Sequence, residues 1–271
     1  MTELRRRTLA SILDLVPSGE DRWMAPTPGE GPPRLFGGQV AAQALSAACR
    51  TVPADRPPHS LHGYFIRPGR PDATLEMVVE RTRDGRSFTT RHVTAVQEGK
   101  AIFNLTASFQ IAEEGIDWQE PPPELSPPPE EEFTPVEPVL RAFWRASPFQ
   151  LRPLHPDAER HVAHPCWVRL VEELPKDPAI QACALTFISD MGVVGSARAP
   201  EDRGRPASLA SLDHAVWFHR PFDMAEWHLF RVDPVSNSGA RGLALGSMYS
   251  TDGRLVASMA QEGLFRKPGP G

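Results

Sequence analysis

The sequence predicts an α+β protein made of two similar halves, each a long buried helix wrapped by a curved antiparallel sheet. Three observations lead to this fold class: an internal repeat, a proline- and glutamate-rich segment between the repeats, and the same order of elements in each half. Composition indicates a globular chain and no more, since 40% of the 271 residues are hydrophobic and 23% are charged.

The internal repeat is defined by two anchors at almost the same offset. One motif reads HGYFIRP in the first half and HAVWFHRP in the second, which aligns Phe65 with Phe218 at a shift of 153 (218 − 65). Further along, Gly99 aligns with Gly253 at a shift of 154 (253 − 99). Two separate anchors that agree within one residue indicate duplication, with chance similarity of two β-rich halves as the alternative.

The first half contains one helix followed by four strands. Gly37 and Gly38 open a run of small residues, Val40 to Ala48, that is typical of a helix packed closely against a sheet. The strand-like segments lie at about residues 60–67, 74–83, 87–97 and 100–111. The last of them alternates between apolar and polar residues, which indicates a strand with one buried face.

The second half repeats this order. Asp177 and Pro178 are a favourable N-cap and first helical residue, and residues 179–188 are almost wholly apolar, so this helix is expected to be buried all round. Four strands are predicted at about residues 208–220, 228–234, 240–250 and 254–265.

The composition of the segment between the halves predicts an extended linker. Residues 115–138 contain two triple-proline runs and a triple-glutamate run, a composition that cannot pack a core. The predicted organisation is therefore an N-terminal domain at residues 1–112, a linker at residues 113–138 and a C-terminal domain at residues 139–271.

Charge and cysteine content exclude several classes of protein. A net charge of −5 argues against nucleic acid as a partner. Cys49, Cys166 and Cys183 are far apart and odd in number, which indicates a reducing compartment and not a disulfide framework. A cytoplasmic location is therefore expected.

The N-terminal segment resembles neither a signal peptide nor a membrane anchor. Leu9, Ile12, Leu13 and Val16 recur at helical spacing, which predicts an amphipathic helix within residues 1–17. No apolar stretch approaches the length of a membrane span, so no membrane span is expected.

Eight short motifs, spread over nearly the whole chain, form a specific set although none is specific alone. They are FGGQV at 36–40, RPG at 67–69, RDG at 83–85, TASFQ at 106–110, LDH at 212–214, WFHRP at 217–221, ARG at 240–242 and QEG at 261–263. As a set they resemble the acyl-CoA thioesterase II family. The resemblance implies a tandem (double) hotdog fold. It also implies an enzyme that hydrolyses fatty acyl-CoA to free fatty acid and CoA without a metal or other cofactor. Because hotdog proteins often associate further, a homo-oligomer is also expected.

The resemblance also implies three catalytic residues, an aspartate, a threonine and a glutamine, that together hold the attacking water. By motif these fall on Asp190, Ser211 and Gln261, so a serine stands here for the threonine and keeps the hydroxyl. All three lie in the second half, and the first half would carry a degenerate site. The acyl-CoA substrate is expected in the groove between the halves, with its acyl chain beside the helix that ends at Asp190.

The internal repeat supports this assignment independently of the resemblance. A shift of 154 places Gln261 opposite Ala107 (261 − 154), on a strand face that the first half keeps apolar. Asp190 closes an otherwise apolar helix, where burial would raise its pKa and suit it to act as a general base. In the first half, no Asp or Glu occurs from residue 34 to residue 54.

Structural roles are the alternatives for these residues. Gln261 could secure a loop, and Asp190 could point into solvent from the end of its helix. Ser211 lies two residues before Asp213, so that on one strand both side chains would share a face and Asp213 is a rival base. Asp213 could instead hold a loop or His214.

Other functions have weaker support. His161, His164 and Cys166 could bind a metal, but no fourth ligand follows at suitable spacing. A serine hydrolase would need a Gly-x-Ser-x-Gly motif, which is absent from the sequence. A hotdog enoyl-CoA hydratase would need a histidine where Gly195 stands, five residues after Asp190. A non-catalytic acyl-CoA-binding or sensor protein on the same fold is the alternative from another class.

Overall fold

The structure is a computed structural model that describes residues 7–29, 33–130, 147–154, 165–199 and 208–266. Within these ranges the chain forms four helices and thirteen strands, and every strand pairing is antiparallel. No helix within these ranges is both long enough and apolar enough to cross a membrane.

The first half contains the predicted helix and four strands, preceded by a short helix and a hairpin. In chain order its elements are α1 (Leu9–Ile12), β1 (Val16–Gly19), β2 (Arg22–Ala25), α2 (Gly37–Cys49), β3 (Pro58–Phe65), β4 (Leu75–Asp84), β5 (Phe88–Gln97) and β6 (Lys100–Gln110). The predicted N-terminal helix is wrong beyond Leu13, because Val16 begins a strand and is 59% exposed. The part of that prediction on residues 1–6 lies outside the described residues.

The second half follows the same plan with two additional strands at its start. Its elements are β7 (Phe149–Pro153), β8 (Cys166–Leu170), α3 (Pro178–Ser189), α4 (Val193–Ser196), β9 (Ser208–Ser211), β10 (Asp213–Phe218), β11 (His228–Ser238), β12 (Arg241–Ser250) and β13 (Leu255–Arg266). As expected, α3 has its N-cap at Asp177, whose Oδ1 accepts a hydrogen bond from the Ala179 N–H at 2.8 Å. The single strand predicted over residues 208–220 is wrong in one respect, since it is interrupted at Leu212.

All of these strands belong to one sheet. The order is β1-β2-β4-β5-β6-β3-β10-β13-β12-β11-β8-β7, with β9 added beside β13, so the two halves join through β3 and β10. Within this central pair, His62 lies opposite Ala215. These two residues are also equivalent at the repeat shift of 153 (215 − 62), so the pseudo-twofold axis of the duplication passes between them.

Equivalent hydrogen bonds recur in the two halves. The Ile66 N–H donates to Ile102 O at 2.9 Å, the His219 N–H to Val256 O at 2.8 Å, Arg67 Nη1 to Ala101 O at 2.6 Å and Arg220 Nη1 to Leu255 O at 2.8 Å. Each donor pair is related by a shift of 153 and each acceptor pair by a shift of 154. The turn glycines Gly99 and Gly253 both have positive φ, at 73° and 84°. The sequence repeat is thus also a repeat of contacts.

The segment after β6 has no regular secondary structure over residues 111–129, and residues 131–138 of the predicted linker lie outside the described residues. Its described part contacts the second half. Gln119 donates from Nε2 to Gly253 O at 2.9 Å and accepts from the Leu255 N–H at 2.8 Å. Asp117 pairs with Arg220, whose Nε lies 3.0 Å from Oδ1.

Helices α2 and α3 pack against each other, one from each half. A Cβ added at Gly38 would lie 2.2 Å from the carbonyl oxygen of Phe187, so only glycine permits this approach. The ring of Phe36, the N-cap residue of α2, meets the ring of Phe187 edge-on at 5.1 Å between centroids. The N-terminus of α2 therefore lies against the C-terminal turn of α3, which positions the site described next.

Candidate active site

Asp190 lies at the C-terminal end of α3 and is buried, with 8% of its surface exposed. Its carboxylate accepts two hydrogen bonds, from the Gly38 N–H to Oδ2 at 2.8 Å and from Gln261 Nε2 to Oδ1 at 2.8 Å. The alternative that Asp190 points into solvent is therefore wrong. The apolar residues of α3 bring the carboxylate into the interior, where these two donors meet it.

Burial raises the pKa of Asp190 to about 7, while the hydrogen bonds from Gln261 and from the Gly38 N–H act to lower it. Gly38 lies in the first turn of α2, so the positive end of that helix dipole also faces the carboxylate. A carboxyl group that titrates near neutral pH can take a proton from water, which is the property that a general base needs.

Gln261 lies on β13 and is fully buried. Its Nε2 donates to Asp190 Oδ1 at 2.8 Å and to Ser211 Oγ at 2.7 Å. The equivalent residue of the first half, Ala107, is equally buried but apolar. The amide therefore joins the aspartate to the serine.

Ser211 is the last residue of β9, where it lies opposite Gly263 of β13. The pairing register against β13 shifts by one residue across Leu212, whose N–H donates to Glu262 O at 2.9 Å. This irregularity lies at the end of β9, where Ser211 meets Gln261. The three side chains predicted from sequence thus meet in one hydrogen-bonded cluster.

Asp213 does not belong to this cluster. Its Oδ1 accepts from the Glu262 N–H at 2.7 Å, and its Oδ2 lies 2.9 Å from Nε2 of His62 on the other half. The expectation that Ser211 and Asp213 share a face is wrong because the register shift at Leu212 separates them. Asp213 contacts both halves where they join, which fits a structural role and not the role of a rival base.

The first half contributes a backbone donor to the site, which the sequence did not reveal. The Gly38 N–H reaches Asp190 from the first half, and a Cβ at Gly37 would lie 2.7 Å from Asp190 Oδ2. A backbone donor leaves no side-chain signature, and the paired glycines at the helix start are the signal that could have located it. The cluster therefore lies between the halves.

His214 and Ser189 lie behind the cluster. His214 is fully buried on β10, and its Nε2 lies 2.8 Å from Ser189 Oγ. Burial lowers the pKa of His214 to about 4, with the charge of Asp213 and the Gln261 side chain acting in the opposite direction. His214 is therefore neutral at physiological pH. From the sequence, the one role suggested for His214 is as a residue that Asp213 could hold.

Two clefts lie elsewhere on the molecule. One of about 730 Å³ is bounded by the end of α2, the start of α3 and residues 10–14, and one of about 550 Å³ lies beside residues 116–120. Neither is lined by the three residues of the cluster. The larger cleft lies beside α3, the helix along which the acyl chain is expected. It lies at the N-terminal end of α3, whereas Asp190 lies at the C-terminal end.

The metal site considered from sequence lies mostly outside the described residues. His161 and His164 lie outside the described residues, and Cys166 is a buried cysteine on β8 whose pKa is raised by burial. Among the residues that the structure describes, no group of three or more His, Cys, Asp or Glu side chains is arranged to hold a metal ion.

Two family models match the chain. The model described as acyl-CoA thioesterase matches residues 148–264, and the model described as acyl-CoA thioesterase N-terminal domain matches residues 25–110. Among curated proteins, Acyl-CoA thioesterase 2 of Haemophilus influenzae is 36% identical over 95% of this chain and 94% of its own length. Acyl-coenzyme A thioesterase 8 of Homo sapiens is 35% identical over 97% of this chain and 90% of its own length.

Solved structures show the same likeness. An acyl-CoA thioesterase II from Mycobacterium marinum superposes with a TM-score of 0.79 at 36% identity, covering 97% of this chain and 98% of that one. A protein of unknown function with a hot dog fold from Alicyclobacillus acidocaldarius superposes with a TM-score of 0.78 at 22% identity, covering 96% and 98%, which bears on the fold alone.

The fold and the cluster between its halves define a tandem hotdog protein of the α+β class, as the sequence predicted. The chain belongs to the acyl-CoA thioesterase family, because relatives of that name match it along nearly its whole length at more than a third identity. The family predicted from the motifs is thereby confirmed.

Proposed function

We propose that this protein hydrolyses fatty acyl-CoA to free fatty acid and CoA, with Asp190, Ser211 and Gln261 as its catalytic residues. One observation carries the proposal: a carboxylate with a pKa near 7 is hydrogen-bonded through a buried amide to a hydroxyl, in a chain of the acyl-CoA thioesterase family. The arrangement supplies a base and a hydrogen-bonding hydroxyl within one small volume, as addition of water to a carbonyl requires.

In the proposed mechanism Asp190 removes a proton from a water molecule as its oxygen attacks the thioester carbonyl carbon. Ser211 accepts a hydrogen bond from Gln261, so its own hydroxyl hydrogen can be donated to that water and orient it. The tetrahedral intermediate then breaks its carbon–sulfur bond, and the proton held by Asp190 is passed to the leaving CoA sulfur. No acyl-enzyme forms, because the nucleophile is water.

The N-terminus of α2 supports the oxyanion in this proposal. It reaches the carboxylate through the Gly38 N–H, so the positive end of the helix dipole faces the same volume. Donors fixed in a water-poor site stabilise a developing oxyanion without reorganisation. The first half would thus contribute backbone to a reaction whose side chains come from the second.

The acyl chain is proposed to lie along α3. The 730 Å³ cleft is lined by Ile180 and Cys183 near the start of this helix, seven residues before Asp190 (190 − 183). Seven residues of α-helix rise by about 10 Å, so the proposed path from Asp190 to the cleft would be about that long.

The domain division is proposed as an N-terminal hotdog at residues 1–112 with a degenerate site, a linker at 113–138 and a C-terminal hotdog at 139–271 that carries the catalytic side chains.

We further propose a homo-oligomer, supported by large apolar side chains exposed on central strands, Tyr64 at 52% and Trp217 at 45%. The spacing and odd number of the three cysteines support a cytoplasmic location.

Release of free CoA thiol from acyl-CoA substrates of increasing chain length is the test of this function. We expect steady turnover with a maximum at one range of chain lengths, and no turnover with a non-hydrolysable thioether analogue. Tight binding of acyl-CoA without thiol release would instead favour the acyl-CoA-binding or sensor alternative.

A further inference from the structure

Two buried polar atoms behind the catalytic cluster have no hydrogen-bond partner among the described residues, and they belong to neighbouring side chains. One is Oε1 of Gln261 and the other is Nδ1 of His214. The two side chains interact, since the Gln261 amide acts on the ionisation of the His214 ring. A carbonyl oxygen and a ring nitrogen that can carry hydrogen are complementary hydrogen-bonding groups.

The orientation of the Gln261 amide is defined by its other contacts. Nε2 donates to Asp190 Oδ1 at 2.8 Å and to Ser211 Oγ at 2.7 Å, which uses both amide hydrogens. A flipped amide would direct Oε1 at the carboxylate, and two acceptor oxygens repel each other when Asp190 is ionised. The working orientation therefore leaves Oε1 for another donor.

We propose that His214 is a positioning residue whose Nδ1–H donates to Gln261 Oε1 and so holds the amide in the orientation that serves Asp190 and Ser211. The inference rests on the proposed function, because Gln261 matters to the reaction only if the cluster is the active site. It adds a residue that does not touch the substrate or the water but acts through Gln261.

The proposal requires one tautomer of the His214 ring. If Nδ1 carries the hydrogen, Nε2 has a lone pair and accepts from the Ser189 hydroxyl, 2.8 Å away. The hydroxyl has a second acceptor in Thr186 O at 3.1 Å, and donation there would reverse the histidine tautomer. In the proposed tautomer, the chain of hydrogen-bond donors runs from Ser189 through His214 and Gln261 to Asp190.

The tautomer can be measured without any activity assay. In ¹⁵N-labelled full-length protein at about pH 8.5, above the pKa of Asp190, a two-bond ¹H–¹⁵N correlation spectrum distinguishes the two ring nitrogens of each histidine. Loss of one set of signals in His214→Asn assigns the residue. We expect a protonated Nδ1 and an unprotonated Nε2, and the reverse pattern would overturn the proposal.

Kinetics of two substitutions test the positioning role. His214→Leu removes the donor, whereas the amide nitrogen of His214→Asn lies near the position of Nδ1 and can replace it. We expect His214→Leu to lower kcat about 10- to 100-fold through a misplaced amide, with little change in KM. The pH midpoint of kcat should also rise, because a loosened Gln261 stabilises the Asp190 carboxylate less. His214→Asn should recover much of the activity.

His228→Leu is the matched control, because His228 is also buried and its Nδ1 donates to Glu226 O at 3.0 Å, apart from the cluster. It should lose stability but keep the kcat and pH midpoint of the folded enzyme. An equal fall in kcat in this control, or no recovery in His214→Asn, would contradict the positioning role. If His214→Leu does not fold, the wild-type spectrum and His214→Asn still decide the question.

A failure of the proposed function can be distinguished from a failure of the proposal for His214. Full activity in Asp190→Asn would remove the cluster from the reaction, while the wild-type spectrum would still report whether His214 donates to Gln261.

Discussion

At the scale of the residue, the site depends on a carboxylate held away from water at a cost to stability. Asp190 is nearly fully buried, and two hydrogen bonds compensate only part of the lost hydration, so its pKa remains about 7. The motifs located Asp190, Ser211 and Gln261, and the repeat indicated that Gln261 replaces an alanine. The paired glycines at the start of α2 are the only sequence signal of the donor from Gly38, because a backbone N–H is directed by how two helices pack.

The raised pKa predicts that Asp190 makes the protein less stable as pH rises. Its pKa in the folded state is near 7 and its ordinary value is 3.8, so between these values the unfolded chain releases a proton that the folded chain keeps. The stabilisation is complete below about pH 4 and is lost as pH rises through 7, by a few kcal/mol in all.

Asp190→Asn removes this titration. We therefore expect the difference in the free energy of unfolding, variant minus wild type, to become more favourable to the variant between pH 5 and pH 8. Urea unfolding of both proteins at the two pH values measures it. A difference independent of pH would mean that Asp190 does not titrate in this range in the folded protein.

Ser211 is predicted to orient water and not to form an acyl-enzyme. Ser211→Thr keeps the hydroxyl that accepts from Gln261 and should retain most activity, whereas Ser211→Ala should lose part of it through a misplaced water. Mass spectrometry of rapidly quenched enzyme during turnover of a slow substrate checks the mechanism. An acyl adduct on Ser211, with matching burst kinetics, would contradict it.

At the scale of the element, the long elements were predictable and the short edge elements were not. The helices α2 and α3 and the strands β3 to β6 follow from apolar runs, caps and alternation, and they match within a few residues. The strand β1 is exposed at all four residues, so it has no alternating pattern to detect, and the helical spacing of Val16 from Leu9, Ile12 and Leu13 wrongly predicts a helix there. The strands β7 and β8 have five residues each, too few for periodicity to identify them.

The contact of α2 with α3 predicts a large effect for one methyl group. Gly38→Ala would direct a Cβ to 2.2 Å from the Phe187 carbonyl oxygen, a backbone atom that cannot rotate away. We expect a loss of about 1–3 kcal/mol or more in the free energy of unfolding, as for other overpacked sites.

Gly195→Ala is the matched control for this prediction. Gly195 lies on α4, and an added Cβ there meets no atom within 4 Å, so its substitution should be neutral or slightly stabilising. Equal effects of the two substitutions on urea unfolding would contradict the close helix contact.

At the scale of the whole molecule, duplication produced a nearly symmetric frame and an asymmetric site. The pairing of His62 with Ala215 and the hydrogen bonds repeated at shifts of 153 and 154 follow from the sequence repeat. The asymmetry was also visible in the sequence, since Ala107 stands opposite Gln261. That the site would combine first-half backbone with second-half side chains required the packing of the halves.

The central claim is that Asp190 acts as the base for the hydrolysis of acyl-CoA, and the pH dependence of thiol release by wild type and Asp190→Asn tests it most directly. Wild-type kcat/KM should rise with pH through a midpoint near 7, because only the ionised carboxylate can accept a proton. Asp190→Asn should lose about 10²- to 10⁴-fold in kcat with an unchanged circular dichroism spectrum. Asp213→Asn, which keeps an oxygen for the Glu262 N–H, should retain most activity. A folded Asp190→Asn variant that loses less than about tenfold, beside an inactive Asp213→Asn, would contradict the account.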